Sequence, residues 1–448
     1  MAANDAKAPI LEVLVSQHHS EYSSLTPDTP RIVNKHPPKY PLVRAVSNSK
    51  AEGSKHPDGT AIIRVPTSRE TEIHFLESAW LSIPVTPGYD PSGDISSGIS
   101  PSIFRAFRKI ELLTEDKILL ETLTPLDIDI WERTAEKGEQ YDILRSIAYG
   151  NTTSSDVQLK IPFCILKDNA PFPLVSMSST RFLIRITYSP ASLIDSNLNI
   201  GGTEMWFQGM TLPPSQISSL ETMNWTLPIT TFTNQTRVYE KGSAKTLESF
   251  LLEDTRDLRS LVFVMGDIDK TTTSLERYKG EFYGDPTASD VYNALKEGWL
   301  DIGSDPVSRP VRKEMLRIGT RIGRCNRIQR SGIGGVGEDG LHILPISSSY
   351  LASRFNYSAP GAMTRISSKI SLRLRFNPIE RNPGDRDRFE ISVVTQRGQR
   401  LRIKDGLLDS IDSFHGDEKG VSNPRVLNDL YPKLLASLLE RTAKSSSC

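Results

Sequence analysis

The segment from Ile370 to Phe376 reads I-S-L-R-L-R-F, with Ile370, Leu372, Leu374 and Phe376 apolar and Ser371, Arg373 and Arg375 polar between them. A period of two sends one row of side chains into a core and the other into water. A helix cannot satisfy that pattern, so this part of the chain is β-sheet. A polar stretch, N-P-I-E-R-N-P-G-D-R-D-R, leads to two further strand-like runs, F-E-I-S-V-V-T-Q and L-R-I-K-D-G. Strands linked this way pair antiparallel, which argues against a parallel α/β enzyme core.

The rest of the chain repeats the theme. Short strand-like runs begin at 61–66 (A-I-I-R-V-P) and 71–85, and resume at Val157 with Val157, Leu159, Ile161 and Phe163 alternating. R-F-L-I-R-I-T-Y at 181–188 ends this first set. A second set follows the Gly201–Gly202 pair: 246–252, 258–265, 340–346 and the strands near the C-terminus. Between 125 and 149 the pattern turns helical, with Thr124 as a candidate N-cap and Pro125 at the first helical position. The expected fold is all-β: two tandem β-sandwiches with short helices in loops and a C-terminal helix. The expected units are a flexible arm at 1–58, a first sandwich at 59–200, a second at 201–412 and a helical extension at 413–448. The arm lacks apolar periodicity. The extension has Asn423 as cap, Pro424 just inside and a stripe through Leu427, Leu430, Leu434, Leu435 and Leu438, with Pro432 breaking or kinking it.

Composition narrows function. The 448 residues suffice for a large core without disulfides or metals. Lys plus Arg and Asp plus Glu are 54 each, a balance that argues against a dedicated nucleic-acid binder. Cys164, Cys325 and Cys448 are few and far apart, which suits a reducing compartment. The apolar run from Pro9 to Val15 is too short for a signal peptide and is interrupted by Glu12. No run of about 18 apolar residues is present.

Candidate sites weigh little. G-I-G-G-V-G at 332–337 fits a dinucleotide fingerprint in spelling only, because an Arg-rich segment precedes it where a strand is required. The segment from Arg309 to Arg330 carries seven arginines and Lys313, and reads as a solvated face or subunit contact before it reads as a DNA-facing patch. His18 and His19 are the only adjacent histidines, and no zinc-spaced Cys/His set occurs. Cys164 sits in an alternating strand, where a buried thiol is expected. Asn151, Asn224, Asn234 and Asn356 head N-x-S/T sequons, which matter only on a secretory route. No catalytic, cofactor-binding or metal-binding residue is assigned.

Several segments, taken in order, carry a resemblance. They are I-D-I-W-E-R-T at 128–134, Y-D-I-L-R-S-I-A-Y-G-N at 141–151 and L-K-I-P-F-C-I-L-K-D-N-A-P-F-P-L-V-S-M at 159–177, then 244–265, 355–374 and 401–406. Their order and spacing resemble the double jelly-roll major capsid proteins of large eukaryotic DNA viruses and their relatives, over roughly residues 60–412. The family's aromatic cluster after the first proline is reduced here to Phe163 and Cys164, and the tryptophan often found in the 261–265 strand is missing. The resemblance implies a structural virion protein without catalysis or cofactor. It implies pseudo-hexameric homotrimers tiling an icosahedral shell, assembled in the host cytoplasm or nucleus. Its implied partners are neighbouring capsomers, minor capsid proteins and internal membrane-associated proteins, with no specific nucleic-acid binding. Two other functions stay open: a viral scaffold protein of related fold, and a carbohydrate-binding or hydrolytic β-sandwich.

Overall fold

The computed structural model describes residues 43–91, 101–135, 138–166, 171–177, 179–212, 214–240, 247–252, 258–268, 295–302, 305–306, 311–312, 341–345, 370–377 and 388–413. The C-terminal leucine stripe, His18 and His19, the 332–337 glycines, Cys325, Cys448 and Asn356 lie outside them.

The first half contains β1 (Val43–Lys50), β2 (Glu52–Gly53), β3 (Thr60–Arg64), β4 (Phe75–Pro84), β5 (Phe107–Thr114) and β6 (Leu119–Leu123). Helices α1 (Pro125–Ala135) and α2 (Gly138–Tyr149) follow, then β7 (Asp156–Lys160), β8 (Phe182–Tyr188) and β9 (Glu204–Thr211). One sheet runs β1-β9-β4-β7 and the other β2-β3-β8-β5-β6, all antiparallel. Setting aside the two-residue β2, eight strands remain. The first pairs with the last, the second with the next to last, and so inward to the β5–β6 hairpin. Wrapping such a ladder into two facing sheets gives a jelly roll. Leu81, Ile83, Leu159 and Phe207 of one sheet share a core with Ile63, Ile110, Ile184 and Ile186 of the other.

The second half repeats this order. Helix α3 (Pro214–Glu221) leads to β10 (Trp225–Glu240), β11 (Leu247–Leu251), β12 (Leu258–Ile268), β13 (Leu295–Ile302), β14 (Asp305–Pro306) and β15 (Val311–Arg312). Strands β16 (Leu341–Pro345), β17 (Ile370–Phe376), β18 (Arg388–Lys404) and β19 (Leu407–Ser413) complete it. The sheets run β10-β18-β12-β16 and β11-β17-β13-β14, with β15 on β13 and β19 on β18. First again pairs with last. The expected all-β fold of two tandem sandwiches is therefore what the chain adopts. Strand β19 extends the pattern. It folds back on β18 through Asp405 and Gly406, whose positive φ angles of 52° and 80° suit the tight turn of a two-residue hairpin.

The alternation at 370–376 falls as read. Leu372, Leu374 and Phe376 are buried, while Arg373 and Arg375 pair with Asp301 and Glu297. Thr124 caps α1: its hydroxyl accepts the Asp127 N–H at 3.3 Å, and Asp127 Oδ2 accepts the Thr124 N–H at 2.8 Å.

Four expectations need correction. The first sheet starts at Val43, inside the segment read as an arm (1–58), because β1 pairs along its length with β9. Strand β9 lies beyond the boundary placed at 200 yet closes the first sandwich. The segment 171–177, whose P-F-P-L-V-S-M reads in sequence as a strand leaving a short polar turn, makes a single bridge, Phe172 to Leu76, and then a 3-10 turn. Pro171 and Pro173 lack the N–H that a strand ladder needs there. Finally, F-E-I-S-V-V-T-Q and L-R-I-K-D-G form one 17-residue strand, β18, in place of two. The first correction sets a truncation limit. A chain lacking residues 1–57 is expected to melt well below one lacking only 1–40, because it loses β1 and its pairing with β9. Equal melting by circular dichroism would mean that β1 adds nothing to the sandwich.

Candidate assembly surfaces

Alternating antiparallel strands send successive connections to opposite ends of a sandwich. In the first, the connections β1–β3, β4–β5, β6–β7 and β8–β9 share one end, and the remainder share the other. The connection between β4 and β5 and helices α1 and α2 belong to the first of these ends. In the second sandwich the chain leaves β12 at Ile268 and re-enters at Leu295, and leaves β17 and re-enters at Arg388, at the equivalent end. It also leaves β15 at Arg312 and re-enters at Leu341 at that end, and of the arginine-rich segment only β15 is described.

The opposite ends of the two sandwiches are tied together. Ser179 N–H donates to Gly406 O at 3.0 Å, and Leu408 N–H to Thr180 Oγ1 at 3.1 Å. Trp225 Nε1 donates to Ser176 Oγ at 2.8 Å, and Ser176 Oγ donates to Leu220 O at 2.6 Å. Higher up, β10 runs beside β6, and Phe232, Val262 and Val394 are continuous with the core of the first sandwich. The two sandwiches thus stand side by side with their long connections at the same end.

Polar groups brace this arrangement. Arg145 on α2 is buried against Asp129 and Glu132 of α1, bonding Asp129 Oδ1 and lying 3.3 Å from Glu132 Oε2, with its guanidinium 5.0 Å from the Phe104 ring centroid. Glu111 on β5 takes Arg185 of β8 at 2.7 Å. Burial pushes its carboxyl pKa up, but the hydrogen bonds from Arg185 and Lys109 outweigh it and hold the group below the ordinary value.

His74 lies where β9 hands over to the linker between sandwiches. Its Nδ1 accepts the Leu212 N–H at 3.0 Å, so that nitrogen must be unprotonated. The backbone N–H of His74 donates to Met210 O at 2.9 Å. Burial pushes the imidazole pKa below the ordinary 6.5, against the opposing charges of Glu72 and Glu221, the latter paired with Arg69. The unfolded chain therefore binds the proton first as pH falls. Stability is fully present above about 6.5 and declines below it. His74→Gln keeps an acceptor without titrating, and is expected to melt with a shallower pH dependence between 7 and 5.5. Parallel curves would remove His74 from that role.

Among the described residues, those singled out in the sequence do not converge. Cys164 is buried in the first core, and its N–H donates to Glu121 Oε2 at 2.6 Å. Asn151 is exposed and accepts from Thr153, Asn224 is exposed and accepts the Asp405 N–H, and Asn234 lies on β10. Among the described residues, no group of three or more His, Cys, Asp or Glu could hold a metal ion, and no helix is long and apolar enough to cross a membrane. What the sequence reading missed is a surface. Trp206 of β9 stands opposite Trp80 of β4 on the outer face of the first sheet, and only the non-local pairing of those strands brings them together.

No protein-family model matches the sequence, and no curated protein matches it. Solved structures do. PBCV-1 VP54, from a crystal structure fitted into a reconstruction of the virophage Sputnik, superposes with a TM-score of 0.60 at 10% identity, over 84% of this chain and 98% of that one. The PBCV-1 virus capsid model gives 0.59 at 10% identity, over 83% and 98%. The Faustovirus major capsid protein gives 0.58 at 8% identity, over 89% and 97%. The chain shares the fold of these proteins along nearly their whole length.

Proposed function

We propose that the chain is a major capsid protein, a structural subunit of a virion whose working unit is a homotrimer. The observation that carries this reading is the pair of sandwiches of one strand order, side by side, with their long connections at a common end. Its support is the fold shared with PBCV-1 VP54 and the Faustovirus major capsid protein. Three copies of a two-sandwich chain supply six similar blocks, and a closed ring of six has the pseudo-hexagonal outline that tiles a shell. The building units are residues 43–212 and 225–413. Long connections at one end can vary in sequence without disturbing either core. The role calls for no chemical step, and the chain would act in the capsid through contacts with neighbouring capsomers, minor capsid proteins and internal membrane-associated proteins.

Light scattering on the purified protein tests the reading. It predicts a particle near three times the 49.9 kDa chain mass. A stable monomer at micromolar concentration would contradict it.

A further inference from the structure

The two sandwiches are joined by a short strap. Leu212 follows β9 directly, α3 comes next, and Trp225 opens β10. Where the strap lies on the first sandwich therefore sets where the second begins. At its far end, Trp225 Nε1 donates to Ser176 Oγ at 2.8 Å and Ser176 Oγ to Leu220 O at 2.6 Å. Along its length, Leu212 and Leu220 pack with Phe75, Val175 and Met210. At its near end a single side chain does the holding: His74 Nδ1 accepts the Leu212 N–H at 3.0 Å.

That bond has no substitute in the sequence that follows. Pro213 and Pro214 carry no N–H, so Leu212 has the last amide before α3 that can tie the strap down. His74 cannot back away from it either. Its backbone N–H donates to Met210 O at 2.9 Å and its carbonyl accepts the Val175 N–H at 2.9 Å, so its main chain is pinned from two sides. Leu212 and His74 are both buried, which keeps water from replacing the acceptor. A proton on Nδ1 turns that acceptor into a donor facing a donor. The pinned main chain stays, and the strap has to move.

We propose that His74 is the catch of an acid-released strap: protonation frees Leu212 and the start of α3 from the first sandwich while both sandwiches stay folded. The groups around the ring set the sense of the switch. Glu72 stands two residues before it and Glu221 acts on it from the end of α3, with Arg69 4.0 Å from Glu221. The segments Met210–Leu212 and Leu174–Ser176, which bond its main chain and ring, carry no charged side chain. Both carboxylates favour the imidazolium, but burial outweighs them and holds the pKa below the ordinary 6.5. The fastened strap thus binds the proton more weakly than the released one. It is closed at neutral pH and opens as pH falls below 6.5. The bonds from Ser179 to Gly406 and from Leu408 to Thr180 involve no titrating group, so the blocks remain attached while the joint slackens.

Every group in this switch belongs to one chain, so it stands apart from the homotrimer reading. Hydrogen–deuterium exchange of the full-length protein, read by mass spectrometry at pH 7.5 and 5.5 and corrected for intrinsic exchange rates, tests it. The peptide covering Thr211–Trp225 reports the strap, and one covering Phe182–Tyr188 reports the core of the first sandwich. The expected result is at least a tenfold fall in strap protection at pH 5.5 with the core peptide unchanged. In His74→Gln and His74→Asn, which offer an amide oxygen that does not titrate, strap protection should be the same at both pH values. Two substitutions of different length guard against one that fails to fold. Unchanged strap protection in the wild type would overturn the inference. So would equal losses in both peptides, which would be general unfolding, or a loss in the wild type that sets in above pH 6.5. A pH-dependent strap in a folded His74 variant would assign the release to another group and overturn it as well.

Discussion

Replacing Arg145 by methionine is expected to destabilise the protein by about 3–5 kcal/mol, the usual cost of removing one partner from a buried charge cluster. Arg145, Asp129 and Glu132 are all at most 2% exposed, so neither carboxylate can turn to water when its cation goes. The cluster fixes α1 against α2, and α2 packs on edge strand β7. Loss of the arginine should therefore loosen that end of the first sandwich as well as lower the urea midpoint. The triple variant Arg145→Met, Asp129→Asn, Glu132→Gln distinguishes charge from shape. It should recover much of the loss, because no unbalanced charge remains. If it is as unstable as the single variant, the arginine acts through packing on Phe104 and not through its charge.

Leu372→Asp is expected to cost roughly 4 kcal/mol or more, adding lost leucine packing to the burial of a carboxyl group. Leu372 is fully buried on β17, opposite Phe250 of β11 and Leu300 of β13, so no edge is near to let the new side chain escape. Arg373→Gln, one residue along, removes a partly exposed ion pair with Asp301 and should cost no more than about 1 kcal/mol. Soluble expression and chemical denaturation of the pair measure the difference. Two variants of equal stability would mean that the inward and outward faces of β17 had been exchanged.

How much of this could be read in advance follows from where the signal lies. Strand β17 declares itself because large apolar side chains alternate with arginines over seven residues. Helix α1 declares itself through Thr124, Pro125 and Asp127, a local constellation. Strand β1 does not, since its inward positions are Ala45, Ser47 and Ser49, too small and polar to mark a buried face, while its one large apolar side chain after Val43, Val46, points outward. Strand β10 is masked by Pro228 and a row of threonines. As an edge strand paired only with β18, it tolerates a proline that a central strand would not. The boundary at 200 fails for a topological reason. The last strand of each sandwich pairs with its first, about 160 residues earlier by the β1–β9 register, and no local pattern announces such a partner. The Trp80–Trp206 surface is hidden for the same reason, because the two residues become neighbours only when β4 and β9 pair.

The central claim is that three chains close six sandwiches into one block. Negative-stain electron microscopy of the purified protein, with class averages computed without imposed symmetry, tests it most directly. The prediction is a particle with threefold symmetry and six lobes in a near-hexagonal outline, packing edge to edge into sheets at high concentration. Particles with two lobes, or a twofold dimer, would contradict it.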